Sequence, residues 1–235
     1  MNAIYDLSRY PANFNFFEFL VAATTRGANH VIFDKSKGIR KKYNHEETEK
    51  RIASILEPAP ALANCTHEWG TGEGIDPGYH PSALFQAYRD HGKIARLCSV
   101  SSASGEHEIT VTLRRSTRYP QRNSSAAWER FAARVGALLI DEYDMQPIHL
   151  HERMAIYSAA KMNFFTANGP GILCHCSRNP YIMFHKGIDR DYYAKHGWME
   201  DSQLPWAVGY QRMVWLDDSF DNIMGEYDRW RSQTE

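Results

Sequence analysis

Strong charge of either sign is missing from this chain. Its 235 residues carry 27 Lys plus Arg against 28 Asp plus Glu, a formal net charge of −1. No global field therefore favours nucleic acid or an anionic membrane, and any anion must be held locally. Cysteine is scarce: Cys65, Cys98, Cys174 and Cys176 are too few for a disulfide framework at this length. A reducing, cytoplasmic location is the expectation. Long apolar runs are also wanting. The longest near the N-terminus, Phe14 to Ala23, is too short to span a bilayer and contains Glu18. No basic segment with a small-residue cleavage site precedes it, so neither a transmembrane segment nor a secretory signal is expected. Cys174-His175-Cys176 has no second pair at structural-zinc spacing, and no metal is expected. Internal repeats and low-complexity tracts are absent.

What is present is an alternation of short apolar runs with amphipathic stretches, the pattern of an α/β chain with mainly parallel strands. In the first half, Ile4 to Leu7 and His30 to Phe33 read as strands, and Asn15 to Thr25 as a helix. A second helix, Thr48 to Leu56, is stopped by Pro58 and Pro60, and Pro81 to His91 forms another. Residues 64 to 82 are rich in Gly and Pro and read as a long loop. The three glycines of "GTGEG" lack the strand-to-helix context of a dinucleotide fingerprint. The small, polar "SSASGEHE" then marks a boundary between residues 1–103, a reduced α/β half, and residues 104–235.

The second half is more regular. Strands are expected at Glu108–Leu113, Met162–Thr166 and Pro180–Phe184, and Val135–Ile140 reads as a strand or as a helix tail running into one. Helices are expected from Ser125 to Arg134, His151 to Ala160, Gly171 to Ser177 and Ser219 to Trp230. This β-α-β-α-β-α-β order with short connections is that of a Rossmann-like doubly wound parallel sheet.

Ligands of such sheets bind beyond the carboxyl ends of the strands, and two connections there are chemically loaded. One follows the strand ending at Leu113 and contains Arg114, Arg115, Arg118, Arg122 and Asn123. The other is Asn168-Gly169-Pro170-Gly171. Guanidinium forks and a helix N-terminus both suit phosphate. The arginine loop could equally be a solvated connection, except at Arg114, which a strand positions. The turn could equally be a plain helix cap, since capping and anion binding share one geometry.

The block "ITVTLRRSTRYPQRNSSAAWERFA", followed by "ERMAIYSAAKMNFFTANGPGILCHCSRNPYIMF", resembles the nucleotide-sugar-binding C-terminal half of GT-B-type glycosyltransferases, in particular fucosyltransferase-like and heptosyltransferase-like proteins. The resemblance covers roughly residues 108 to 187, with a weaker likeness in "QLPWAVGYQRMVW". It implies a GT-B-like fold and a nucleoside diphosphate sugar as donor substrate, with no further cofactor. It implies a glycan or other hydroxyl compound as acceptor. Arg114, Arg122, Asn123, Asn168, Gly169, Pro170 and Gly171 would hold the donor diphosphate, the 169–171 amides among them, and His175 would face the sugar. A general base would come from the first half, with His67, Glu68 and Asp76 as candidates and His80 beside them; each is also an ordinary loop residue. Two alternatives stand: a non-catalytic nucleotide-sugar or phosphate-binding module needing a protein partner or a second copy, and a nucleotide-sugar epimerase or hydrolase on the same fold.

Overall fold

Each short β-forming run of the sequence becomes a strand whose neighbours run parallel to it. The computed structural model describes residues 1–40, 43–101, 107–117, 119–141, 149–186, 191, 194 and 203–234. The chain is α/β with two parallel sheets, as Rossmann-like folds are built. It divides into two compact units, Met1–Ser99 with His149–His151, and Val100–Ile148 with Glu152–Glu235.

In the first unit, β1 (Asn2–Asp6), β2 (His30–Asp34) and β3 (Thr66–Trp69) pair in that order. Ile75 bridges Ala3 on the open side of β1, through Ile4 N to Ile75 O (2.9 Å) and Ile75 N to Asn2 O (3.0 Å). Gly74 permits this approach, because a Cβ there would collide with the Asn2 backbone. Helices α1 (Phe16–Thr25), α2 (His45–Arg51) and α3 (Pro81–His91) complete the unit, with α1 packed on α3. Two expectations change. "THEW" is a strand rather than loop, because its order comes from backbone pairing to β2 and not from an apolar pattern. The second helix starts at His45, capped by Asn44 Oδ1 accepting from Glu47 N (2.8 Å), and passes into a π-helical turn over Ile52–Leu56.

In the second unit, β4 (Ile109–Thr112), β5 (Leu138–Ile140), β6 (Met162–Thr166), β7 (Tyr181–Phe184) and β8 (Gln211–Val214) lie in the order β5-β4-β6-β7-β8, all parallel. Numbered within the unit this is 2-1-3-4-5, a doubly wound order. Against one face pack α4 (Ala127–Val135) and, of the helices that follow α5 (Leu150–Ala159) and α6 (Ile172–His175), the last, α7 (Phe220–Thr234). They bury Trp128, Phe131, Ile223 and Trp230 against Val111, Phe164, Ile182 and Phe184. The other face is more polar. Thr110 Oγ1 donates to Asn163 Oδ1 (2.7 Å), Asn163 Nδ2 donates to Tyr157 O (3.0 Å), and Thr112 meets the Tyr157 hydroxyl at 2.9 Å. Buried polar groups are satisfied there by one another. Strand β8 has no counterpart in the sequence expectations. Its polar members are paid for in three dimensions: Gln211 Nε2 donates to the carbonyls of Cys174, Ser177 and Asn179, and Arg212 pairs with buried Glu226.

Candidate anion-binding site

The chain leaves β4 toward β5 on one side and leaves β6 toward β7 on the other, so the connections after β4 and β6 part over the seam between them. Such a switch point is where an open parallel sheet can admit a ligand. Both loaded connections of the sequence are there. Ser124 ties them together: its hydroxyl accepts from Arg114 N (2.8 Å) and reaches Thr166 Oγ1 at the end of β6 (3.3 Å), while Ser124 N donates to Arg114 O (3.1 Å). Asn123 shapes the loop rather than offering its amide to a ligand, since Oδ1 accepts from Ser116 N (2.9 Å) and Nδ2 donates to Ser116 O (3.2 Å). From the end of β7, Lys186 Nζ donates to Asn123 O (3.1 Å) and pairs with buried Asp218 (2.9 Å). Asp218 in turn accepts from Ser125 N and Trp128 Nε1.

Two further guanidiniums stand on this scaffold. Among the described residues no carboxylate pairs with Arg114 or Arg122, and the Nε of each is buried without a hydrogen-bond partner. Arg122 Nη2 makes one long bond to Ala167 O (3.4 Å). Burial, and next the neighbouring Arg122 charge, hold the Arg114 pKa below the usual arginine value, with Tyr119 opposing. Arg115 differs: Glu129 and Asp141 neutralise it. Arg118 lies outside the described residues.

The Asn168–Gly171 turn contributes otherwise than expected. The Gly171 amide, meant for phosphate, is taken by Asn168 Oδ1 (2.7 Å), and Pro170 has no N–H to give. The helix behind it, α6, has four residues in place of the expected seven and so little dipole to offer. Capping has taken the geometry that both uses share. What the turn does present is Asn168 Nδ2, a third buried donor without an acceptor.

No family model, curated protein or solved structure matches this chain.

His175 is buried with its ring 4.9 Å from that of Tyr181, and burial pushes its pKa down to about 3. It is neutral at physiological pH and adds no charge for an anion. His185, which the sequence expectations omitted, directly follows β7, is buried against Trp215 (4.6 Å between rings) and donates its backbone N–H to Val214 O. Burial first, then His175 and Arg122, hold its pKa well below the ordinary value. Its signal was present as a histidine at the carboxyl end of a buried strand. Among the described residues no three His, Cys, Asp or Glu side chains gather to hold a metal ion, and no helix is long and apolar enough to cross a membrane.

The three first-half candidates are dispersed. His67 and Glu68 are exposed on edge strand β3, where neighbouring side chains point to opposite faces. Glu68 lies 3.6 Å from His30 Nε2. Asp76 follows Ile75, with β1 and β2 between it and β3. There its carboxylate pairs with Arg9 (2.5 Å) and accepts from the Tyr10 hydroxyl (2.9 Å) and Gly78 N (3.0 Å). His80, four residues after Asp76, meets Asn15, whose amide also reaches Glu18, two residues that sequence reasoning did not assign a role.

Proposed function

We propose that the second unit binds a nucleoside diphosphate at the β4/β6 switch point, and that the chain is a glycosyltransferase of GT-B-like organisation. It would move a sugar from a nucleoside diphosphate sugar to an acceptor hydroxyl. One observation carries this: among the described residues Arg114 Nε, Arg122 Nε and Asn168 Nδ2 are buried donors with no acceptor, on two connections that part over one seam, and two of them belong to cations that no described carboxylate pairs with. Buried donors lacking partners and like charges lacking a counter-ion both cost stability, so the expected occupant is an acceptor-rich dianion. A diphosphate has that charge and oxygen count. During transfer the bond from sugar to diphosphate breaks and negative charge grows on the leaving oxygen; fixed donors stabilise it without reorganising. The four free cysteines support a reducing, cytoplasmic location.

Calorimetric titration with GDP, UDP, ADP and CDP, followed by an assay for donor consumption with and without hydroxyl acceptors, tests the proposal. Saturable binding of one nucleotide with acceptor-dependent turnover is the expected result. Binding without turnover would make the chain a nucleotide-binding module, and turnover without acceptor a hydrolase or epimerase.

A further inference from the structure

Cations gathered about the β4/β6 seam differ in what opposes them. Arg115 has Glu129 and Asp141, whereas no carboxylate among the described residues pairs with Arg114 or Arg122. Lys186 comes from the end of β7 and reaches the β4 connection at Asn123 O. Its Nζ pairs with Asp218 Oδ1 at 2.9 Å.

A buried carboxylate is an odd neighbour for an anion site. Asp218 lies between β8 and α7 and is buried. Its Oδ2 accepts from Ser125 N (2.8 Å) and Trp128 Nε1 (3.0 Å), while Oδ1 faces Lys186. Against its burial, Ser125 N, Lys186 and Trp128 hold its pKa below the ordinary carboxylate value, so it is charged at neutral pH. Clamping Ser125 and Trp128 needs only one oxygen, which a neutral amide would supply as well. The second oxygen does something a clamp does not require: it cancels the charge of a cation that would otherwise be the third unopposed one.

We propose that Asp218, by neutralising Lys186, sets the charge of the β4/β6 site to match a dianion, so that the site prefers a nucleoside diphosphate sugar to the nucleoside diphosphate that transfer leaves behind. The identity of these ligands rests on the function proposed above; the charge setting does not.

The two ligands differ by one charge. In a nucleoside diphosphate sugar each phosphorus carries one ionised oxygen. On transfer the bond from the sugar carbon to the terminal phosphate oxygen breaks, and its electron pair stays on that oxygen. The acceptor oxygen bonds to the sugar carbon and releases its proton to solvent. The product therefore gains a third charge, ionised above a pKa of about 6. Arg114 and Arg122 match the donor. A third free cation would match the product and hold it more tightly than the donor it must make way for; Lys186 under Asp218 withholds that charge. Asp217 also feels Lys186, but it is exposed and takes the Ser219 N (3.1 Å) and Asn222 Nδ2 (2.6 Å) donors at the start of α7, where water screens it.

Asp218→Asn separates clamp from charge. Its amide oxygen keeps the Ser125 and Trp128 donors, and its NH2 group, turned to Lys186, leaves the ammonium to water. The full chain and this variant are titrated calorimetrically at about pH 8, where the terminal phosphate is ionised, with GDP, UDP, ADP and CDP, the matching nucleoside diphosphate glucoses, inorganic phosphate and pyrophosphate. Expected in Asp218→Asn is binding about threefold tighter per ligand charge, thus about 10-fold for the sugar nucleotide and about 30-fold for the nucleoside diphosphate. Lys186→Met should move both affinities the other way, again with the larger change for the nucleoside diphosphate. A carboxylate that only holds the fold would leave Asp218→Asn binding both ligands equally well or more weakly. That result, or equal tightening of the two, would overturn the proposal; if Asp218→Asn does not fold, the Lys186→Met pattern decides. If neither protein binds a nucleotide, the donor reading fails, and pyrophosphate against phosphate decides the charge setting: a larger gain for pyrophosphate in Asp218→Asn upholds it, and absent or equal gains overturn it.

Discussion

Arg114 and Arg122 hold two neighbouring positive charges that no carboxylate among the described residues pairs with. Removing one should therefore separate binding from stability. Arg114→Ala is expected to weaken nucleotide binding by about 10- to 100-fold, the loss of one or two charge-assisted hydrogen bonds. The melting temperature of the empty protein should stay level or rise, which thermal unfolding with and without nucleotide will show. Glu18 gives a second residue-scale test. Its folded pKa is raised to about 8, so the unfolded chain releases the proton first and stability falls as pH rises from about 4.5 to about 8, then levels. Glu18→Gln should flatten that decline, with a gain on the order of a few kcal/mol at the alkaline end and little at the acid end; urea titrations at both extremes measure it. Arg114 was legible in the sequence because a run of β-formers places it at a strand end. Glu18 was not: a glutamate in a helix's first turn reads as ordinary, and its burial is set by the fold and not by its neighbours in sequence.

At the scale of elements, the short connections carry the site and the helices serve the core. Gly171 shows how tightly the turn is built: a Cβ there would run into the Phe165 ring, which stacks on Tyr181 at 5.7 Å. Gly171→Ala should thus cost about 1–3 kcal/mol through overpacking, measured by denaturant unfolding, with any loss of nucleotide affinity following from the displaced Asn168. Ser124→Ala removes the hydroxyl that joins the β4 connection to the end of β6. It should cost about 1–2 kcal/mol of stability and weaken nucleotide binding though the serine itself carries no charge; calorimetry reads both. Strands β1, β2, β4, β6 and β7 were legible because they are buried and apolar or β-branched. Strands β3 and β8 were not, since one is an exposed edge and the other hides Gln211 and Arg212 among partners far away in sequence. The length of α6 was overread because small apolar residues after a proline suit a helix, whereas Cys176 and Ser177 already turn toward β7.

For the molecule as a whole, each unit is a parallel sheet with connections that part beside its first strand, and chemically distinct groups collect at the two seams: in one, arginines that no carboxylate among the described residues pairs with, and in the other a histidine, an amide and a buried carboxyl. Topology explains the placement, because any chain wound in both directions from a central strand opens a crevice there. Residue order along the sequence pointed to the second seam, where one connection bears a run of arginines and polar residues and the other the Asn168-Gly169-Pro170-Gly171 turn. It did not point to the first, where the partners are 65 residues apart. The central claim is that the β4/β6 seam binds a diphosphate. Titration of the full chain with GDP, UDP, ADP and CDP, beside Arg114→Ala, tests it most directly. Saturable binding of one nucleotide, lost or weakened at least tenfold in a variant that still melts cooperatively, is the predicted result; binding equally tight in both proteins, or to none of the four, would contradict it.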